Sequence, residues 1–179
     1  MKKQNESRNG RLQRFDLGGG KIRDLNQSST DELELVAKRM QLTLIEVLGE
    51  EKGKSMYSME WLVQRVLFHL SDQTTGKVLV CEDSKGEICG HAIGRLEHDA
   101  SSDAYGFFST IFVDSKSRRS GFATALMDAL ESWFRTLGVK RVVYNTAESN
   151  TKLIKLFECD GYAITLRQSE MVELTKVFD

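Results

Sequence analysis

The chain has no proline in its 179 residues, so cis-prolyl turns and proline-braced loops play no part in it. Cysteine is scarce. Cys81, Cys89 and Cys159 are an odd number without a C-x-x-C pair, which argues against a disulfide framework or a zinc site and leaves reduced thiols in or near a core. No metal is expected. No apolar run approaches the ~20 residues that a membrane-spanning helix needs, and the N-terminal residues lack the apolar core of a signal peptide. A cytoplasmic protein is the expectation, with no membrane partner. Charge of one sign is also missing: 25 Lys and Arg stand against 26 Asp and Glu, for a net charge of −1. That is not the basic surface that nucleic-acid binding favours, so no nucleic acid is expected as partner. What remains is ordinary for a globular domain, 40% hydrophobic and 28% charged, and long enough for one substantial core.

Residues 1–20 read as a flexible, polar tail with five basic residues, ending in Gly18-Gly19-Gly20. Residues 21–179 read as a single domain. Lys21 to Leu25 suits a short strand. Ser29 with Glu32 three positions on has the pattern of a capping box, and Leu33, Val36, Met40, Leu44 and Val47 follow at helical spacing up to a stop at Gly49. Glu50 to Tyr57 is polar and contains Gly53, so a loop is expected there. Ser58 starts a second helix with Trp61, Leu62, Val66, Leu67 and Leu70; His69 on it reads as packed or solvent-facing.

The texture then turns to strands. Val78–Glu82 and Ile88–Glu97 flank the turn Ser84-Lys85-Gly86-Glu87, a hairpin signature, with His91 structural. Tyr105–Val113 has apolar residues on both faces, as a doubly covered strand should. A helix follows Gly121 and ends at Gly138. Arg141–Thr146 is a strand, and Ser149 is expected to cap a helix running through Cys159 to Gly161. Tyr162–Gln168 and Met171–Phe178 form a closing hairpin. The order is β-α-α-β-β-β-α-β-α-β-β.

The junction at residues 113–126 carries chemistry. A strand runs into a helix through a short polar turn. The first helical amides have no intrahelical acceptor, and with the helix dipole, about half a unit charge, they form an anion site. Gly121 removes bulk where a phosphate would approach the backbone, and Ala123 keeps the next position small. Arg118 and Arg119 add cationic donors. The physical reading is a pyrophosphate site.

The segment Val113-Asp114-Ser115-Lys116-Ser117-Arg118-Arg119-Ser120-Gly121-Phe122-Ala123-Thr124-Ala125-Leu126 resembles motif A of the GNAT superfamily of acyl-CoA N-acyltransferases. Asn150, Leu153, Ile154, Leu156, Phe157, Gly161 and Tyr162 resemble its motif B, an Asn-led helix closed by a glycine and an aromatic. The likeness covers about residues 21–178. It implies an α/β (α+β) fold with a mixed, mostly antiparallel seven-stranded sheet flanked by four helices. It implies acetyl-CoA as co-substrate, with Ile111, Phe112 and Val113 beside the pantetheine arm. The amides of Arg119, Ser120, Gly121, Phe122, Ala123 and Thr124, with Arg118, would hold the pyrophosphate, and Asn150 would touch the pantetheine from across a splayed strand pair. The reaction implied is direct transfer of acetyl to an amine in a ternary complex, helped by an oxyanion donor in the backbone near Phe112.

Two departures stand out. Phe157 occupies the motif B position where many of these enzymes have a tyrosine that protonates the departing thiolate; here it is a wall of the thioester pocket or core. Ser115 stands near the usual proline. The general base is also not given by the motifs, since Ser109 and Thr110 are not bases. The nearest candidates are Glu97, His98, Asp99 and Asp103, with Tyr105 and Tyr144 able to relay through water. The acceptor, a small-molecule or peptide amine, should meet residues 49–59 and 97–105. A catalytically weak acyl-CoA-binding regulatory module is the alternative, a nucleic-acid-associated protein with a basic tail is a third class, and a homodimer is left open.

Overall fold

A computed structural model describes residues 17–179. The expected tail falls mostly outside the described residues, but its last four do not belong to a tail. Leu17 packs against the core and its carbonyl accepts the Gly20 amide at 3.0 Å.

Among the described residues, seven strands and five α-helices follow in the order β1 (Lys21–Asp24), α1 (Thr30–Leu48), α2 (Glu50–Ser55), α3 (Met59–Leu70), β2 (Gly76–Glu82), β3 (Ile88–His98), β4 (Ala104–Val113), α4 (Phe122–Thr136), β5 (Arg141–Ala147), α5 (Thr151–Cys159), β6 (Ala163–Gln168) and β7 (Met171–Val177). A 3-10 turn at Ser115–Ser117 precedes α4. The strands form one sheet in the order β1-β2-β3-β4-β5-β7-β6. Every neighbouring pair is antiparallel except β4 and β5. The mixed, mostly antiparallel seven-stranded sheet is therefore as expected, with one more helix than the four anticipated.

The additional helix is α2, in the segment expected to be loop. Gly49, at φ 86°, ends α1 by donating to the Ile45 carbonyl at 2.9 Å. The chain then folds back, and Gly53 lies against α1 so closely that a Cβ there would sit 2.5 Å from the Ile45 Cα. The contact is made by backbone rather than by an apolar side chain, so no hydrophobic period announces it.

Ser29 does cap α1, accepting the Glu32 amide at 3.3 Å. Glu32 does not complete the box. Its carboxylate instead accepts from Arg23 at 2.8 and 3.0 Å and from the Asn26 amide at 2.9 Å, fastening the helix start to β1. Ser58 caps α3 through the Trp61 amide at 3.1 Å.

Two cores cover the two faces of the sheet. Leu33 and Val36 of α1 and Val66 of α3 meet Val78, Val80 and Ile93 on one face. On the other, Leu126, Leu130 and Phe134 of α4 and Phe157 of α5 meet Phe108, Val142, Tyr144 and Leu174. His69 and His91 are both fully buried. Cys81 and Cys89 are buried free thiols with Sγ atoms 3.4 Å apart, whereas Cys159 is exposed rather than near a core.

Candidate functional site

Parallel pairing of β4 with β5 is confined to Gly106–Phe108 against Val142–Tyr144. Beyond Phe108 the two strands part. Ser109 is an extra residue in β4, since Ile93 pairs with Thr110 while Gly94 pairs with Phe108. Such a bulge bends its strand and increases the local twist. The parting opens a cleft of about 1200 Å³. Its walls are Ile111, Phe112 and Val113 of β4, the turn through Arg118 and Arg119, Ala123 of α4, one side of α1, and the start of α5 from Asn150 to Leu156.

The turn between β4 and α4 is pinned from below. Arg39 of α1 is buried and donates to Asp114 at 2.5 and 3.3 Å and to the Ile88 carbonyl at 2.6 Å. The Asp114 amide donates to the Cys89 carbonyl at 2.8 Å. Arg118, expected to meet phosphate, is engaged in scaffolding: its Nε donates to the Val113 carbonyl at 2.8 Å and its Nη2 to Glu46 of α1 at 2.9 Å. Arg119, at φ 65°, is exposed on the cleft rim.

Gly121 is the N-cap of α4, in the left-handed region at φ 82°, ψ −6°, and no side chain caps the helix. The amides of the first turn therefore stand open toward the cleft end, where Ala123 forms part of the wall. Ser120 is exposed, Thr124 half-buried, and the Phe122 ring is in the core, so only the Phe122 backbone belongs to the site. Lys152 and Lys155 of α5 line the opposite wall. The sequence reading passed over these two; their three-residue spacing on a short helix was the available signal.

Asn150, rather than Ser149, is the N-cap of α5. It lines the cleft and donates from Nδ2 to the Thr146 hydroxyl at 3.1 Å. Phe112 has its backbone in the cleft wall, while its ring faces α1, stacked 6.0 Å from His91 and flanked by the Arg39 and Arg118 guanidiniums at 5.9 Å each.

The candidates for acid–base work are placed elsewhere. Phe157 is fully buried, stacked on Tyr144 with ring centroids 4.1 Å apart and edge-on to Phe108 and Tyr162. It is core, and does not line the cleft. Tyr144 is buried in the same stack, and burial pushes its pKa up to about 12. Glu97 is ion-paired with Arg95, whose guanidinium also reaches Nε2 of His69 at 3.3 Å. Glu97 pairs across strands with Tyr105, four residues before Ser109, which at ~3.3 Å per residue is about 13 Å from the parting of the strands. His98 lies one residue further and is exposed. Asp99 is bound to Arg141 at 2.7 Å, which with two backbone amides holds its carboxyl below the usual range. The structure therefore brings neither Glu97 nor His98 to the cleft, because the strand register carries them toward the far end of the sheet.

At the α2–α3 junction Met56, Tyr57, Met59 and Trp61 are exposed, and Tyr57 stacks on Trp61 at 4.1 Å.

The fold is shared with known proteins. The chain is 26% identical over 80 residues to the N-alpha-acetyltransferase daf-31 of Caenorhabditis elegans, a match covering 44% of each. The chain thus spans under half the length of that relative. Its fold is that of a GCN5-related N-acetyltransferase from Kribbella flavida, with a TM-score of 0.70 at 14% identity over 90% of this chain and 99% of that one. It is likewise that of a chain in the NatC complex solved with a Gag peptide and CoA, with a TM-score of 0.69 at 15% identity over 89% and 99%. The model of the acetyltransferase (GNAT) family matches residues 42–162, from the second half of α1 through the cleft to Tyr162. With the motif, the cleft and the helix start all inside that span, the chain belongs to the GNAT family of acetyltransferases.

Proposed function

We propose that the protein transfers acetyl from acetyl-CoA to a primary amine, by direct transfer in a ternary complex, and that the amine is the N-terminal α-amine of a peptide. The observation that carries this is the cleft between β4 and β5, which ends at the uncapped amides of α4. The amides of Arg119 to Thr124 suit a pyrophosphate, with Arg119, Lys152 and Lys155 as cations around it. The backbone of Ile111, Phe112 and Val113 faces a pantetheine arm as a neighbouring strand would, and Asn150 meets it from α5. Acetyl-CoA supplies an activated thioester. A thiol's pKa of ~8.5 makes its thiolate a tolerable leaving group near neutral pH without a dedicated acid. Positioning and a backbone donor near Phe112 do the rest of the work.

Two considerations favour a peptide α-amine. One is the name of the relative, an N-alpha-acetyltransferase, together with the NatC structure, which holds a peptide beside CoA. The other is chemical. An α-amine with pKa ~7.7–8.0 is about a tenth neutral at pH 7, whereas a lysine amine with pKa ~10.4 is less than a thousandth neutral. The apolar surface of Met56, Tyr57, Met59 and Trp61 offers a wall for the peptide's first side chains.

The test is thiol release from acetyl-CoA against three amines: a hexapeptide with a free α-amine, the same peptide blocked at its N-terminus but containing lysine, and a polyamine. Mass spectrometry locates the acetyl group. The free-α-amine peptide is expected to turn over fastest. Binding of acetyl-CoA without thiol release from any amine would instead support a regulatory acyl-CoA-binding module.

A further inference from the structure

The geometry points to Glu173 as the carboxylate that receives the acceptor's ammonium group at the cleft and takes its proton during transfer. This inference rests on the transferase reading above. Three strands place the residue. The parting begins immediately after the Phe108–Tyr144 pair, so Ser109 of β4 and Asn145 of β5 are the first residues across the opening. Asn145 is paired directly with Glu173 of β7. Paired strands lie about 5 Å apart, which puts the Glu173 Cα about 5 Å from that of Asn145, on the β5 edge of the opening. From beside Asn145 a glutamate side chain can extend toward the opening, and an amine nitrogen held there, directly or through one water, would come within the reach required of a general base.

The side chain is on the correct face. Val172 and Leu174 point into the core beneath α4 and α5, so Glu173 points to the opposite face. There α1 packs on β4 and α3 on β2 and β3; on the same face of β5 and β7 Val143 is buried, while Asn145, Met171 and Val177 are exposed. Glu173 is half-buried, and the Thr165 hydroxyl, on the β6 strand where the register shifts, donates to its Oε1 at 2.9 Å. No cation lies within salt-bridge distance of it among the described residues. The other carboxylates of this face are taken, Glu97 by Arg95 and Asp99 by Arg141. Glu173 also bears on Tyr105 of β4, whose pKa is raised first by burial and then by the charges of Glu97 and Glu173.

In the step itself, the amine nitrogen forms a bond to the acetyl carbon while the carbon–sulfur bond breaks and its electron pair leaves with sulfur. Before that attack the ammonium gives one proton to the Glu173 carboxylate, directly or through one water, and from there to solvent, which frees the nitrogen lone pair; the second proton, released as the amide forms, passes to the departing thiolate or to solvent.

The experiment compares wild type with Glu173→Gln, which keeps the shape and an acceptor for Thr165, and with Glu173→Asp, which keeps the charge but retracts it. The substrates are acetyl-CoA and the free-α-amine hexapeptide, at pH 7 and pH 9.5. The charged and titratable groups around the position are Tyr105, Glu97 with Arg95, and Arg141 with Asp99, and none of these is altered. Expected is an unchanged Kd for acetyl-CoA, a kcat/KM about 10²-fold lower or more in Glu173→Gln at pH 7, a smaller loss in Glu173→Asp, and a gap that narrows at pH 9.5, where the amine is already neutral. Wild-type turnover with an unaffected Glu173→Gln overturns the role of Glu173 alone. So does an equal loss at both pH values accompanied by weaker acetyl-CoA binding, which marks a structural effect. A wild type that acetylates none of the amines overturns the transferase reading, and this role with it.

Discussion

At the scale of single residues, Phe157 and Gly121 are the informative pair. Phe157 sits at a motif position associated with a proton donor, yet its ring is enclosed by Tyr144, Phe108 and Tyr162. Adding a hydroxyl there places a polar group in an aromatic core, at a cost of about 1–3 kcal/mol if it stays unsatisfied. Phe157→Tyr is therefore expected to lower Tm, by roughly 2–4 °C per kcal/mol for a domain of this size, and to leave kcat no higher. Thermal melting and steady-state kinetics on the same preparation check both halves; an unchanged Tm with a raised kcat would show that the ring edge reaches the thioester. Gly121 makes the complementary point. Its φ of 82° lies where only glycine is comfortable, so the residue both turns the chain into α4 and leaves the helix amides bare. Arg118 shows how a residue of the right charge can have a second task, since it braces Val113 and Glu46 while standing in the cleft wall.

At the scale of elements, the sequence was legible wherever a local rule acts. Ser29 and Ser58 mark helix starts by side-chain capping, and the 78–97 hairpin and α4 follow from period and turn residues. The turn from β4 into α4 was legible because a glycine at a helix start is itself a local feature. What was not legible depends on contacts between segments. Helix α2 is held by the backbone of Gly53 against Ile45, which leaves no hydrophobic signature. The side on which Phe157 falls is decided by how α5 lies on β5 and β4. Leu153 and Phe157 share an apolar stripe, which signals core, and that signal prevailed over the motif position. The candidate base shows the same limit. Glu97, His98 and Asp99 are close in sequence to motif A but are carried away from the cleft by strand register. Glu173 is far away in sequence and comes next to Asn145 of β5 because β7 inserts between β5 and β6.

At the scale of the whole molecule, stability should depend on acid in a defined direction. Burial lowers the pKa of His69 to about 4 and that of His91 to about 3. The folded state holds both neutral, while the unfolded chain takes up protons below about 6.5. Stability is therefore complete above that value and is lost progressively as pH falls toward 4 and 3, at up to about 1.4 kcal/mol per pH unit for each histidine. The urea midpoint is expected to fall from pH 7 to pH 5. His91→Leu should flatten that dependence at little cost, because neither ring nitrogen of His91 has a hydrogen-bond partner among the described residues. Function, in turn, depends on one opening in the sheet meeting the start of one helix. That claim is tested most directly by calorimetric titration of acetyl-CoA into wild type and Ala123→Asp. An aspartate in the first turn of α4 favours the helix through its dipole but sets a negative charge where the phosphates should lie. The account predicts one molecule bound per wild-type chain and at least 100-fold weaker binding to an Ala123→Asp variant that melts no lower; wild-type affinity in that variant would contradict it.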